Sequence, residues 1–143
     1  MKVFLSAFVL LASNAIHALP AFADIKICTF EKLIQRSHYS DTDEDFKNFH
    51  GVSFKIDTAK HMLFVQWPDG NSGWFPPDKI KSNKKFTNFI LYQEVTIFET
   101  ERPHIKKLRT VTLNYRLYSD GKRAEVHSSV KDYDPKAARY SCR

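Results

Sequence analysis

The chain has only two cysteines, four glycines and six prolines in 143 residues. So little glycine and proline excludes a collagen-like or Pro/Gly-rich disordered chain. Two cysteines exclude a disulfide-dense miniature scaffold and leave one intramolecular pairing. Beyond the first line of sequence no long apolar run occurs, so no later membrane-spanning helix is expected. Functional motifs are missing too. There is no G-x-S-x-G nucleophile elbow, phosphate-binding glycine loop or dinucleotide fingerprint. None of the histidines forms an H-x-x-x-H or H-E-x-x-H pair, so zinc is not signalled. These gaps point away from an enzyme, and no cofactor is expected.

What is present is a soluble-domain balance of 43% hydrophobic and 27% charged residues, with 14% aromatics arguing against disorder. The first residues read as an export signal. Lys2 precedes an apolar run from Val3 to Ala12, and Ala21-Phe22-Ala23 forms a small-x-small cleavage box. That run is too short for an anchor, which needs about 20 apolar residues. Residues 1–23 are therefore expected to be removed as a signal helix, leaving Asp24 first and 24–143 as one domain in the periplasm or outside the cell. An oxidising compartment permits a Cys28–Cys142 disulfide, which would enclose almost the whole mature chain. Closing a loop of about a hundred residues stabilises by roughly 4.7 kcal/mol in the chain-entropy account.

Strand patterns dominate. Residues 25–30 alternate, 52–57 place Val52, Phe54 and Ile56 on one face, and 61–67 follow after a short connection as the clearest hairpin. Residues 68–78 hold three prolines and two glycines and are expected to lack regular structure. Strands at 86–100 and 108–118 follow, then a tight turn at Ser119-Asp120-Gly121-Lys122 and a return strand over 123–133. Residues 30–37 fit either a helix or an extension of the first strand. The expectation is an all-β antiparallel meander of six to seven strands, a small barrel or half-open sandwich closed by the terminal disulfide.

Few side chains carry a chemical signal. The cluster Asp41, Asp43, Asp45 invites a divalent-cation reading, but an EF-hand loop starting at Asp41 would put Phe46 and Val52 where Gly and Glu belong. A solvated loop is the plainer reading. His38, His50, His61, His104 and His127 read as surface or strand-end histidines. The charge of +6, one unit of it from Lys2, is bunched: Lys79, Lys81, Lys84 and Lys85; Lys106, Lys107 and Arg109; Lys122 and Arg123. For an exported protein this favours an anionic glycan or lipid surface, or an envelope protein, rather than nucleic acid. The least ordinary feature is Trp74-Phe75 within a proline-rich stretch beside the first lysine cluster. It reads either as a contact surface with Lys79, Lys81, Lys84 and Lys85, or as a plug for the barrel end.

The layout resembles small secreted bacterial β-domains with one disulfide, among them periplasmic lysozyme inhibitors. Asn71-Ser72-Gly73 is the nearest match to their Ser-Gly loop, and the Tyr that should follow it is absent. The functional expectation is a non-catalytic exported binding protein, with an enzyme inhibitor or immunity-type protein as the alternative and a small hydrolase third.

Overall fold

The computed structural model describes residues 25–37, 41–66, 70–98 and 106–143. Residues 1–23, read above as a signal, and His38 and His104 lie outside the described residues. Nine strands and one helix follow in the order β1 (Ile25–Gln35), α1 (Asp43–His50), β2 (Ser53–Asp57), β3 (Met62–Gln66), β4 (Ser72–Phe75), β5 (Lys79–Ser82), β6 (Phe86–Phe98), β7 (Lys106–Tyr118), β8 (Arg123–Val130) and β9 (Lys136–Cys142). All the strands join one antiparallel sheet in the order β4-β3-β2-β1-β9-β8-β7-β6-β5. The meander expectation holds, with the first and last strands meeting in the middle where β1 pairs with β9.

Nine strands replace the expected six to seven. The additions are β4, β5 and a full-length β9, whose Lys-Ala-Ala-Arg start carries no strand-like pattern. The expectation of no regular structure over 68–78 is overturned at Ser72–Phe75, which pairs with β3. Its short span and neighbouring prolines mark an edge strand, where proline is tolerated. Residues 30–37 settle as strand through Gln35. The register slips between Phe30 and Lys32 and again between Leu33 and Gln35, and these irregularities spoil the alternation that would have marked the strand.

The sheet is curled into a half-barrel, and chain connectivity requires the curl. Flat, nine strands would separate β4 from β5 by about 38 Å at ~4.8 Å per strand. Only residues 76–78 join them, a reach of about 15 Å at most. Every neighbouring pair is antiparallel, so counting directions outward from β1 along both arms leaves β4 and β5 running the same way. They are the halves of one strand bent at Pro76-Pro77. The first half pairs with β3 and the second with β6, and the prolines, lacking N–H groups, interrupt the ladder at the seam. Asp78 pins the second half, its backbone N–H donating to the Ile90 carbonyl at 2.8 Å and its Oδ2 accepting from the Tyr92 N–H at 2.7 Å.

The concave face holds the core: Phe54, Ile56, Leu63, Val65, Phe89, Leu113, Tyr115, Val126, Ala138 and Tyr140. Phe54 meets the rings of Tyr115 and Tyr140 edge-on, each at 4.9 Å. Cys28 and Cys142 are directly opposed across the β1–β9 pair and are bonded, with both side chains inside the core. Turns are fixed by side-chain acceptors. Asp57 Oδ1 takes the N–H groups of Ala59 and Lys60, Asn83 Oδ1 those of Lys85 and Phe86, and Asp120 Oδ1 that of Lys122. Gly121 adopts φ 65° in the β7–β8 turn, and a Cβ there would meet Lys26 Cε at 3.2 Å.

Candidate functional site

Toward one end of the half-barrel the inward-facing rows change character. Leu91 and Leu113 give way to Gln93 and Val111, and Val126 and Ala138 give way to Ser128 and Lys136. Helix α1 stands over this end. Its start is a capping box: Thr42 Oγ1 accepts from the Asp45 N–H at 3.1 Å, and Asp45 Oδ2 accepts from the Thr42 N–H at 2.9 Å. The helix turns Phe46 inward, 2% exposed, against Phe30 at 6.2 Å and the His50 ring at 4.5 Å. Gly51 ends it at φ 85°, and the Gly51 carbonyl accepts from the Tyr140 hydroxyl at 3.0 Å, which ties the helix end to β9.

Between α1 and strands β6–β9 lies a cavity of about 460 Å³. Its apolar wall is Phe46, Val95, Val111 and Val130, with Phe49 and Tyr133 exposed at the rim. His50, Gln93, Ser128 and Lys136 supply polar groups, and Ser37, Thr96 and Asp134 also line it. Burial, with the Lys136 charge adding to it, pushes the His50 imidazole down to about 4, so it is neutral near pH 7. His50 Nδ1 is buried with no hydrogen-bond partner among the described residues. Lys136 is held at the mouth by Asp41 Oδ1 at 3.0 Å. The site is a largely apolar pocket edged by a few hydrogen-bonding groups, the usual form of a small-molecule site.

The acidic cluster turns out to be the approach and first turn of α1, correcting the solvated-loop reading. Asp41 Oδ2 accepts from the Ser37 N–H at 3.1 Å and hydroxyl at 2.6 Å, besides its pairing with Lys136. Asp43 Oδ1 takes the Leu33 N–H at 3.3 Å. Asp45 completes the capping box, and its hydrogen bonds from Thr42 hold its carboxyl below the usual range. All three carboxylates lie at the acid-favouring end of the helix dipole. Among the described residues no three His, Cys, Asp or Glu side chains gather to hold a metal.

The Trp74–Lys85 stretch divides between two faces. Phe75 pairs with the buried Leu63 and packs against the core, while Trp74 pairs with Phe64 on the outside. Trp74 is 41% exposed and meets the Phe64 ring edge-on at 5.6 Å, with Lys55 Nζ 5.1 Å from the centre of that ring. The two aromatics therefore face opposite sides of the sheet and do not form one surface. Lys79 and Lys81 lie on the outer face of β5, beyond the Pro76-Pro77 bend from Trp74, and Lys84 and Lys85 are exposed in the β5–β6 turn. Neither the cavity nor its helix was visible in sequence. The available signal was Thr42-x-x-Asp45 before Phe46, a capping-box pattern with Asp in the position usually held by Glu.

No family model, curated protein or solved structure matches the chain. Among the described residues, no helix is long and apolar enough to cross a membrane.

Proposed function

We propose that this is an exported, non-catalytic binding protein that takes a small, mainly apolar molecule in the cavity beneath α1. The carrying observation is the cavity's chemistry. A volume of about 460 Å³ is walled by Phe46, Val95, Val111 and Val130, and His50, Gln93, Ser128 and Lys136 stand where they can orient one polar end of a ligand. The leader-like first line and the terminal disulfide support export. Support for a non-catalytic role comes from the acids near the site. Asp41 and Asp43 are engaged in fixing α1 and the chain before it, and the one carboxylate among the lining residues, Asp134, is exposed to solvent.

The test is titration with a neutral fluorophore such as N-phenyl-1-naphthylamine. Binding is expected to saturate at one molecule per chain. It is expected to be lost in Val95→Trp and Val130→Trp, which fill the cavity from half-buried wall positions. Non-saturating fluorescence, or equal binding by both filled variants, would refute the reading.

A further inference from the structure

The outer face of the sheet carries an ordered line of charge. Registered partners run Lys81–Asn88–Arg116–Glu125–Arg139–Lys32 across six adjacent strands, from β5 to β1. With strands ~4.8 Å apart, Lys81, Arg116 and Arg139 recur about every 10 Å, and Lys32 follows one strand later. The acid in the line, Glu125, is 6% exposed. It is held by Arg116 at 3.8 Å and His127 at 3.1 Å, so the line faces solvent chiefly through its cations.

One step toward the turns, Arg123 stacks 4.0 Å from the Tyr118 ring centre, and Arg116 lies 4.3 Å from that of Phe86. Stacking fixes a guanidinium while leaving its edge for a planar anion; Arg123 keeps that edge, while Arg116 gives part of its own to Asn88 Oδ1 at 3.1 Å and to Glu125. A hydrogen bond from the Ser119 N–H to the Lys85 carbonyl at 2.9 Å sets the β5–β6 and β7–β8 turns side by side. Lys84, Lys85 and Lys122 thereby extend the line at one end. Among the described residues no carboxylate pairs with Lys32, Lys81, Lys84 or Lys85.

We propose that this face binds a linear acidic polysaccharide, with carboxylate or sulfate groups meeting the recurring cations. Two features favour such a chain over other polyanions. The line follows a curled sheet, which a flexible chain can track and a flat lipid surface meets at few points. Single-stranded nucleic acid is gripped by stacking its bases on open aromatic rings, and here Arg116 and Arg123 cover Phe86 and Tyr118.

The test is calorimetric titration of the protein with polygalacturonate and with heparin oligosaccharides, at low salt and at about 0.15 M. Binding is expected in both, weaker at the higher salt. The triple variant Lys32→Gln/Lys81→Gln/Arg123→Gln changes exposed positions only and is expected to lose affinity about tenfold. Lys106→Gln/Lys107→Gln/Arg109→Gln removes the same charge from the far end of β7, and its loss is expected to be about twofold or less. Equal losses in the two triples would reduce the effect to net charge and overturn the proposal. So would no binding at low salt, or equal or tighter binding of oligothymidylate or phosphatidylglycerol vesicles. The cavity is unaltered in both triples, so fluorophore binding separates failure here from failure of the cavity reading.

Discussion

Trp74 and Phe75, adjacent in β4, face opposite sides of the sheet: Phe75 lies opposite the buried Leu63 and Trp74 opposite the outward Phe64. The energetic consequence is unequal. Phe75→Ala removes a ring packed against the core and is expected to cost about 2–3 kcal/mol, below the range for fully buried aromatics. Trp74→Ala gives up an exposed edge contact and is expected to cost about 1 kcal/mol or less. Urea unfolding of the two single variants measures both. Equal losses would contradict the opposed placement.

The disulfide sits in the core, unlike a surface staple. Cys28→Ser/Cys142→Ser both frees the unfolded chain and buries two hydroxyls. The expected loss is about 4–5 kcal/mol, with far-ultraviolet dichroism keeping its β-sheet form at low temperature. Thermal melts with and without reductant check the first part, and thiol titration of the native protein is expected to find none.

His50 makes stability pH-dependent in a defined direction. Its native value is about 4 against 6.5 for the free side chain. Between these values the unfolded chain binds a proton that the native protein does not. This contribution is therefore fully present above pH 6.5 and is lost as pH falls toward 4. The window is worth up to about 3 kcal/mol. Denaturant midpoints from pH 4 to 7 are expected to rise, and His50→Asn is expected to flatten that rise. A slope unchanged in the variant would place the effect elsewhere.

Two core tyrosines differ in a testable way. Tyr140 donates to the Gly51 carbonyl, whereas the Tyr115 hydroxyl is buried with no hydrogen-bond partner among the described residues. Burial raises both hydroxyls well above the ordinary tyrosine range. Tyr115→Phe is expected to be neutral or to stabilise by up to about 1 kcal/mol, since it removes a desolvated group. Tyr140→Phe is expected to cost about 1 kcal/mol and to loosen the end of α1. A destabilised Tyr115→Phe would mean that the hydroxyl has a partner.

The all-β class, the β2–β3 and β7–β8 hairpins and the disulfide were legible because they rest on local signals: alternation at Phe54 and Ile56, turn chemistry at Asp120-Gly121, and cysteine parity. What stayed hidden depends on partners distant in sequence. Ser72–Phe75 is strand because β3 lies beside it, and Lys79–Ser82 because β6 does. Helix α1 rests on one buried side chain, Phe46, and the Thr42–Asp45 capping box, too little for a periodic pattern. The cavity draws on α1 and four strands, so no segment announces it. The basic clusters were visible as composition, but their alignment with Lys32 and Arg139 arises only from sheet register.

The proposed ligand site is the space between α1 and β6–β9. The most direct measurement is methyl-resolved NMR of the protein titrated with N-phenyl-1-naphthylamine. The methyl signals of Val95, Val111 and Val130 are expected to shift together and saturate at one equivalent, while those of Leu63 and Val65 on β3 stay in place. Shifts centred on β3 and β4, or none at one equivalent, would contradict it.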